Sequence, residues 1–299
     1  MCIRDRYRNN VLGRPKKKKI LCREKGYHGS SYLAATVSGT GREHDRTFMD
    51  THHDLAVMLP NINPYLRSKN VSKDEWCDQK IKEMEETILS VGADQIGCFI
   101  AEPILASGGV IVPPAGYHTR SLELCKKYDI VYISDETVTG FGRLGHWFAS
   151  KEVFNIQPDI ITCAKGLTSG YLPMGAAIIS DSLIDGIKNT EGSQPFTNGY
   201  TYSCHPVAAK AALTNINIIS NENILGHVQE ISPHFQSRLK AVGEKYDIIG
   251  DARGLGLLGC LEGLGLSLIH ISEPHETVLD IVCRLLLEKK KGGGGGGGG

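Results

Sequence analysis

Ionisable residues close three short apolar runs of this chain: Glu102 follows 96–101, Asp135 and Glu136 follow 130–134, and Lys165 follows 160–164. A charge after such a run is a common way for a loop to return to solvent. In open α/β sheets, however, ligands sit beyond the carboxyl ends of the strands, so three such residues in succession mark where chemistry should be sought. Lys165 stands in Thr162-Cys163-Ala164-Lys165-Gly166-Leu167-Thr168-Ser169-Gly170, where small residues and glycines let a ligand approach the backbone. A lysine that is desolvated or set beside another cation loses its proton more easily, and the neutral amine condenses with an aldehyde to a Schiff base. An acid nearby stabilises a protonated pyridine nitrogen, the usual pairing for pyridoxal phosphate, and Asp135 at the end of a neighbouring run is placed for that role.

The elements that must position these groups follow from hydrophobic periodicity. The runs 96–101, 130–134, 160–164 and 176–180 read as buried strands. Helices are predicted over 75–91, where Ile81, Met84 and Ile88 recur at three- and four-residue spacing, and over 117–128. Two more cover 205–219, opened by Pro206, and 222–246, with Pro233 as a candidate kink. Alternating strands and helices without an internal repeat predict an α/β fold with a largely parallel sheet.

Composition narrows the function classes. The chain has 299 residues, 33 Lys+Arg against 33 Asp+Glu and 41% hydrophobic residues, enough for a substantial core and about two domains. Charge balance argues against nucleic acid or an anionic membrane as the main partner. No apolar stretch approaches the roughly 20 residues needed to span a bilayer, and the N-terminus lacks a signal-peptide core, so a cytoplasmic protein is expected. The nine cysteines form no C-x-x-C pair, which fits reduced thiols better than zinc or disulfides. His52-His53-Asp54 lacks a third ligand at a recognisable spacing, so no metal is expected. Residues 140–145 and 254–259 fit G-x-G-x-x-G without the strand, tight turn and helix that a dinucleotide site needs. Lys16-Lys17-Lys18-Lys19 reads as a solvated loop, and Trp76 and Trp147 as packing residues. The start 1–6 and the segment 266–299, with its terminal glycine run, read as non-native, the latter as a disordered tail.

Several motifs in order resemble the class III pyridoxal-phosphate aminotransferases, closest to the branch with ω-amino acid transaminases. They are Tyr27-His28-Gly29-Ser30, Ala101-Glu102-Pro103, Gly108-Gly109-Val110 with Pro113-Pro114, Ser134-Asp135-Glu136-Thr137-Val138-Thr139-Gly140-Phe141-Gly142-Arg143, Lys165-Gly166-Leu167-Thr168-Ser169-Gly170, and Thr201-Tyr202-Ser203-Cys204-His205-Pro206. The resemblance runs from about Tyr7 to Gly263 and implies the fold-type-I large domain, a mainly parallel mixed sheet flanked by helices. On it, 7–220 is the cofactor-binding core and 221–265 a connecting helix with the start of a small domain that is otherwise missing. The implied cofactor is pyridoxal 5'-phosphate, with Lys165 forming the Schiff base and moving a proton, Asp135 pairing with the pyridinium and Tyr27 lying on the ring. Thr201 resembles the threonine that reaches the cofactor phosphate across a homodimer interface, with the active site shared between subunits.

Four positions depart from the family pattern. Val138 stands near the cofactor ring where many relatives use glutamine, a polar contact valine cannot make. Thr137 replaces valine or isoleucine with a hydroxyl that prefers a partner. Cys204 replaces a glycine; if that glycine has positive φ, cysteine adds strain of about 1 kcal/mol or more. Ser107 replaces a glutamate that in some relatives pairs with a substrate-binding arginine, which turns the substrate expectation away from ornithine and γ-aminobutyrate. The implied reaction moves an amino group from an amine or ω-amino acid to a keto acid. Because the family's N-terminal phosphate cup and C-terminal carboxylate-binding arginine are expected beyond this chain, weak cofactor binding and slow or absent turnover are expected. Two alternatives stay open: a non-catalytic folded fragment, and a lyase or racemase of the same family.

Overall fold

The computed structural model describes residues 9, 12–40, 50–52, 54–188 and 199–263, with side chains undescribed at 186–188. The expectations for 1–6 and 266–299 lie outside the described residues, as do Cys2, His53 and Cys283.

One sheet organises the chain. Its strands are β1 (Lys19–Glu24), β2 (Ser38–Gly39), β3 (Ala56–Leu59), β4 (Ile96–Ala101), β5 (Val131–Asp135), β6 (Ile160–Cys163) and β7 (Ala176–Ile179), in the order β2-β1-β4-β5-β6-β7 with β3 also on β1. Every pairing is parallel except β6 with β7. The sheet is therefore mainly parallel and mixed, as expected. Successive residues of a strand face opposite sides, so β4 sends Phe99 and Ala101 into one core and Cys98 and Ile100 into the other.

The first core is covered by α2 (Lys73–Val91) and α3 (Tyr117–Lys127). α2 buries Cys77, Ile81, Met84 and Ile88, one stripe at helical spacing. It starts two residues before the predicted boundary because Ser72 and Glu75 form a capping box. The Glu75 amide donates to Ser72 Oγ at 3.1 Å and the Ser72 amide donates to Glu75 Oε2 at 2.8 Å. On the opposite core, Ile20, Cys22, Val131, Ile133 and Ile160 pack with Leu183 of α5 (Asp181–Lys188). Short helices α1 (Tyr32–Thr36) and α4 (Ala149–Glu152) complete this part. α6 (Pro206–Asn221) and α7 (Ile224–Lys245) follow, and α7 contains Pro233 within its length.

The second glycine motif lies in an antiparallel hairpin, β8 (Ile249–Leu255) with β9 (Leu258–Gly263). Gln236 of α7 donates to the Gly256 and Leu258 carbonyls, both at 2.9 Å, and so fixes the hairpin turn. No helix N-terminus follows those glycines among the described residues.

Two expectations are corrected here. β7 was expected to be buried, yet Ala176, Ala177 and Ile178 are exposed, Ile178 by 46%. It is the last strand of the sheet and pairs on one side only, so its apolar composition is not matched by cover among the described residues. Lys17 was expected in a solvated loop but is buried. Its Nζ donates to the carbonyls of Tyr128 at 3.1 Å and Asp129 at 2.8 Å, tying the chain before β1 to the turn before β5. The tryptophans pack as expected. Trp76 Nε1 donates to the Ile62 carbonyl at 3.1 Å, and Trp147 meets Phe141 edge-on at 6.4 Å.

Candidate active site

The carboxyl ends of β1, β4 and β5 lie side by side, and each delivers one polar group to a common cluster. β5 ends on Asp135, which is 7% exposed. Its Oδ2 accepts from His28 Nδ1 at 2.8 Å, and its Oδ1 accepts from the Thr137 amide at 3.1 Å. Burial alone pushes this carboxyl up, but the His28 hydrogen bond and charge, together with Thr137, outweigh burial and hold it below its ordinary value. Asp135 is thus an ionised carboxylate at neutral pH, fixed at the end of a central strand.

His28 is itself held by its backbone, whose amide donates to Ser38 Oγ at 2.9 Å. In sequence His28 belongs to the Tyr27-His28-Gly29-Ser30 motif but carries no expected role. The missed signal was its place directly after Tyr27 in a segment that must pass the strand ends.

Glu102, immediately after β4, is the second residue whose role was missed. Its Oε1 accepts from the Tyr27 amide at 2.8 Å and its Oε2 from the Ala106 amide at 3.1 Å. Burial pushes its carboxyl up to about 7, against the pull of His28 and of the two amides. The folded chain therefore binds this proton more tightly than the unfolded chain, whose carboxyl titrates near 4.5. Stability is expected to fall as pH rises from about 4.5 through about 7, and Glu102→Gln is expected to flatten that slope in urea-midpoint measurements. An unchanged slope in the variant contradicts the assignment.

Glu136 is fully buried and serves the scaffold. Its Oε1 accepts from the Ser150 amide at 2.7 Å and the Ser150 hydroxyl at 2.5 Å, and its Oε2 from Thr139 Oγ1 at 2.7 Å and the Ala149 amide at 2.8 Å. The carboxylate thereby closes the loop after β5 onto the first turn of α4.

The parallel register pairs Asp135 with Thr162, so Lys165 follows on the neighbouring strand end. Lys165 opens a 3-10 turn over Lys165–Leu167 with φ of 38°, a left-handed conformation that costs a non-glycine residue about 1 kcal/mol or more. Asn215 of α6 braces this turn, its Nδ2 donating to the Gly166 carbonyl at 2.7 Å and the Leu167 carbonyl at 3.2 Å. Gly166 is required there, because a Cβ would come within 2.9 Å of Phe141 Cβ. The side chain of Lys165 is exposed rather than desolvated. It joins Thr137, Val138, Phe141, Arg143 and Leu257 in lining a cleft of about 300 Å³ that no described carboxylate lines.

Of the expected site residues, Asp135 and Tyr27 meet the same cluster through His28 and Glu102, while Val138 and Lys165 share the cleft. Thr201 lies apart, on an exposed turn before α6 between Tyr200 and Tyr202, which are 84% and 80% exposed. Cys204 ends that turn with φ of 58°, the conformation in which a glycine is unstrained. Cys204→Gly is expected to raise stability by about 0.5–1 kcal/mol, the relieved strain less the added freedom of the unfolded chain. Thermal melting checks this, with Cys204→Ala, which keeps the strain, as the control showing no gain.

The family described as aminotransferase class-III matches over residues 2–265. Among curated proteins, γ-aminobutyrate transaminase 1, mitochondrial, of Solanum lycopersicum is 42% identical over 255 residues, which are 84% of this chain and 48% of that protein. Among solved structures, an (S)-enantioselective ω-transaminase from Thermomicrobium roseum has a TM-score of 0.81 at 34% identity, covering 87% of this chain and 57% of that one. The PMP-bound form of an aminotransferase from Vibrio fluvialis has a TM-score of 0.80 at 34% identity, covering 85% and 56%. The chain spans about half the length of the curated relatives it matches. No helix among the described residues is long and apolar enough to cross a membrane.

Proposed function

The chain belongs to the class-III aminotransferase family, and we propose that it moves an amino group from an amine or ω-amino acid to a keto acid with pyridoxal 5'-phosphate as cofactor. The observation that carries this reading is Asp135, a buried carboxylate kept ionised by His28 at a strand end whose neighbour leads into Lys165. The residues present fit the group: a fixed anion for a protonated pyridine nitrogen, and a primary amine at the mouth of a cleft that holds no neutralising acid among its described lining. When bound, pyridoxal 5'-phosphate supplies an aldehyde for amines and a ring that accepts electrons.

The chain's own residues do the rest. Asp135 would hold positive charge beside its carboxylate without taking the proton, because His28 and Thr137 stabilise its ionised form. Lys165 Nζ would bind the aldehyde and would be the group that moves a proton to and from the reacting carbon. Tyr27, anchored by its amide to Glu102, covers one face of the site. Val138 leaves the neighbouring ring hydroxyl without the amide partner that glutamine provides.

In a homodimer Thr201 would reach a cofactor phosphate bound in the partner's site. Support comes from the exposed Tyr171, Val207 and Ile218, which with Leu172 and Pro206 line an apolar groove of about 690 Å³ beside that turn. Such uncovered apolar surface favours association. The cysteine pattern, which fits reduced thiols, supports a cytoplasmic location, and fractionation of host cells tests it.

The test is visible absorbance of the purified chain after incubation with pyridoxal 5'-phosphate and removal of excess, followed by an amine donor without keto acid. One amino group transferred per bound cofactor supports transamination. Release of ammonia or inorganic phosphate without an acceptor supports a lyase instead. Ser107 lies exposed with no carboxylate to offer, so ω-amines are the first donors to assay. γ-Aminobutyrate belongs in the same panel because the tomato relative is named for it.

A further inference from the structure

Two segments meet beside the carboxyl end of β4. One is 25–28, after β1, which carries Tyr27 and His28; the other is the loop 102–111, which joins β4 to the chain leading into α3. They touch twice. Gly108 packs so closely on Lys25 that a Cβ at 108 would overlap the Lys25 carbonyl, and the Glu102 carboxylate accepts one amide from each segment, Tyr27 at 2.8 Å and Ala106 at 3.1 Å. The loop is anchored at its far side as well, where Arg253 of β8 donates to the Gly109 carbonyl from Nε at 3.0 Å and from Nη2 at 2.6 Å.

Resting on the function proposed above, we infer that Glu102 is the positioning residue for Tyr27: its ionised carboxylate clamps the Tyr27 main chain to the Ala106 loop and so sets the height of the tyrosine over a cofactor bound against Asp135. The two oxygens are each used once, and the ionised form accepts most strongly at both. A proton on either oxygen makes it a hydroxyl, a weaker acceptor with a hydrogen of its own to place, and loosens its hold on that amide. Two other titratable groups face this carboxylate, His28 from the same segment as Tyr27 and Asp135 from β5. Burial places the change of state near neutral pH, since the carboxyl is pushed up to about 7. Tyr27 and His28 are thus held as a pair, one by Glu102 and the other by Asp135, from adjacent strand ends.

Two measurements decide it. In the first, the chain is labelled with 15N-tyrosine and 15N-alanine and the Tyr27 and Ala106 amides are followed against pH. Both are expected to shift with one midpoint near 7 in the parent and to lose that transition in Glu102→Gln. Separate midpoints, or a transition that persists in the variant and so belongs to His28, overturn the inference. In the second, affinity for pyridoxal 5'-phosphate is titrated by absorbance for Tyr27→Ala, Glu102→Gln and the double variant. Tyr27→Ala is expected to weaken binding about tenfold, Glu102→Gln by less, and the double variant no more than Tyr27→Ala alone. Losses that multiply overturn the inference, because Glu102 would then act independently of Tyr27.

If no Lys165-dependent absorbance forms in any chain, the proposed function fails, and the amide titration still decides whether Glu102 is the clamp. Should Glu102→Gln not fold, Glu102→Asp replaces it. That carboxylate is shorter by one methylene and reaches one amide, so one of the two resonances keeps its transition; two unchanged transitions contradict the clamp.

Discussion

Lys165→Ala is expected to abolish the visible absorbance that the parent acquires with pyridoxal 5'-phosphate, and to lower any transamination rate by at least about 10²–10⁴-fold, the range of a lost proton-transfer group. The structure makes this a clean substitution. The side chain is exposed at the cleft mouth, and the turn that 165 opens is held by Asn215 at the Gly166 and Leu167 carbonyls. Alanine inherits the same positive φ and the same strain, so the thermal midpoint should stay close to that of the parent. Lys165→Arg adds the discriminating control. It keeps the positive charge but carries no primary amine to condense with an aldehyde, so it should lose the band as alanine does. Retention by arginine would mean that Lys165 acts only as a charge. Equal spectra in parent and alanine variant would remove the assignment altogether.

Glu136→Ala is expected to destabilise the chain by about 3–5 kcal/mol, the cost of stripping a buried, fully bonded carboxylate from its partners. Four donors converge on it, and two are main-chain amides of Ala149 and Ser150 at the start of α4, which nothing else among the described residues caps. Ser150 Oγ also reaches Ser134 Oγ at 2.8 Å, so the loss propagates into β5. Chemical unfolding measures the effect. Glu136→Gln should cost less, because its single amide oxygen still accepts from one side while its amino group can meet the Thr139 hydroxyl. The Ala149 amide then stays unpaired, which sets the residual cost. If Glu136→Ala melted within about 1 kcal/mol of the parent, the loop after β5 would not depend on this carboxylate, and the close Asp135-Glu136 pair would need another explanation.

The two variants separate the roles of residues that adjoin in sequence. Lys165 and Asp135 belong to the proposed chemistry; Glu136, one residue beyond Asp135, belongs to the frame. In sequence Asp135 alone carries an expected role and Glu136 none. The structure supplies the role of Glu136, because β5 ends by turning, which sends Asp135 to His28 and Glu136 to α4.

By itself the sequence determined the parallel α/β class and pointed to the strand ends where the site is proposed. Runs such as 96–101 match β4 residue for residue because consecutive apolar side chains can be buried on both faces only in a central strand. The strand-end positions of Asp135 and Lys165 were readable because residue type and the end of an apolar run are local facts. The tertiary structure alone decided what lies far apart in sequence. His28 meets Asp135 across 107 residues, Tyr27 meets Glu102 across 75, and Lys17 meets Asp129 across 112. The exposure of β7, the left-handed Cys204 and the raised carboxyl of Glu102 belong to the same set. Periodicity and capping act over a few residues and are written in the chain order, whereas burial, hydrogen-bond partners and proton affinity depend on the field of groups that only folding brings together.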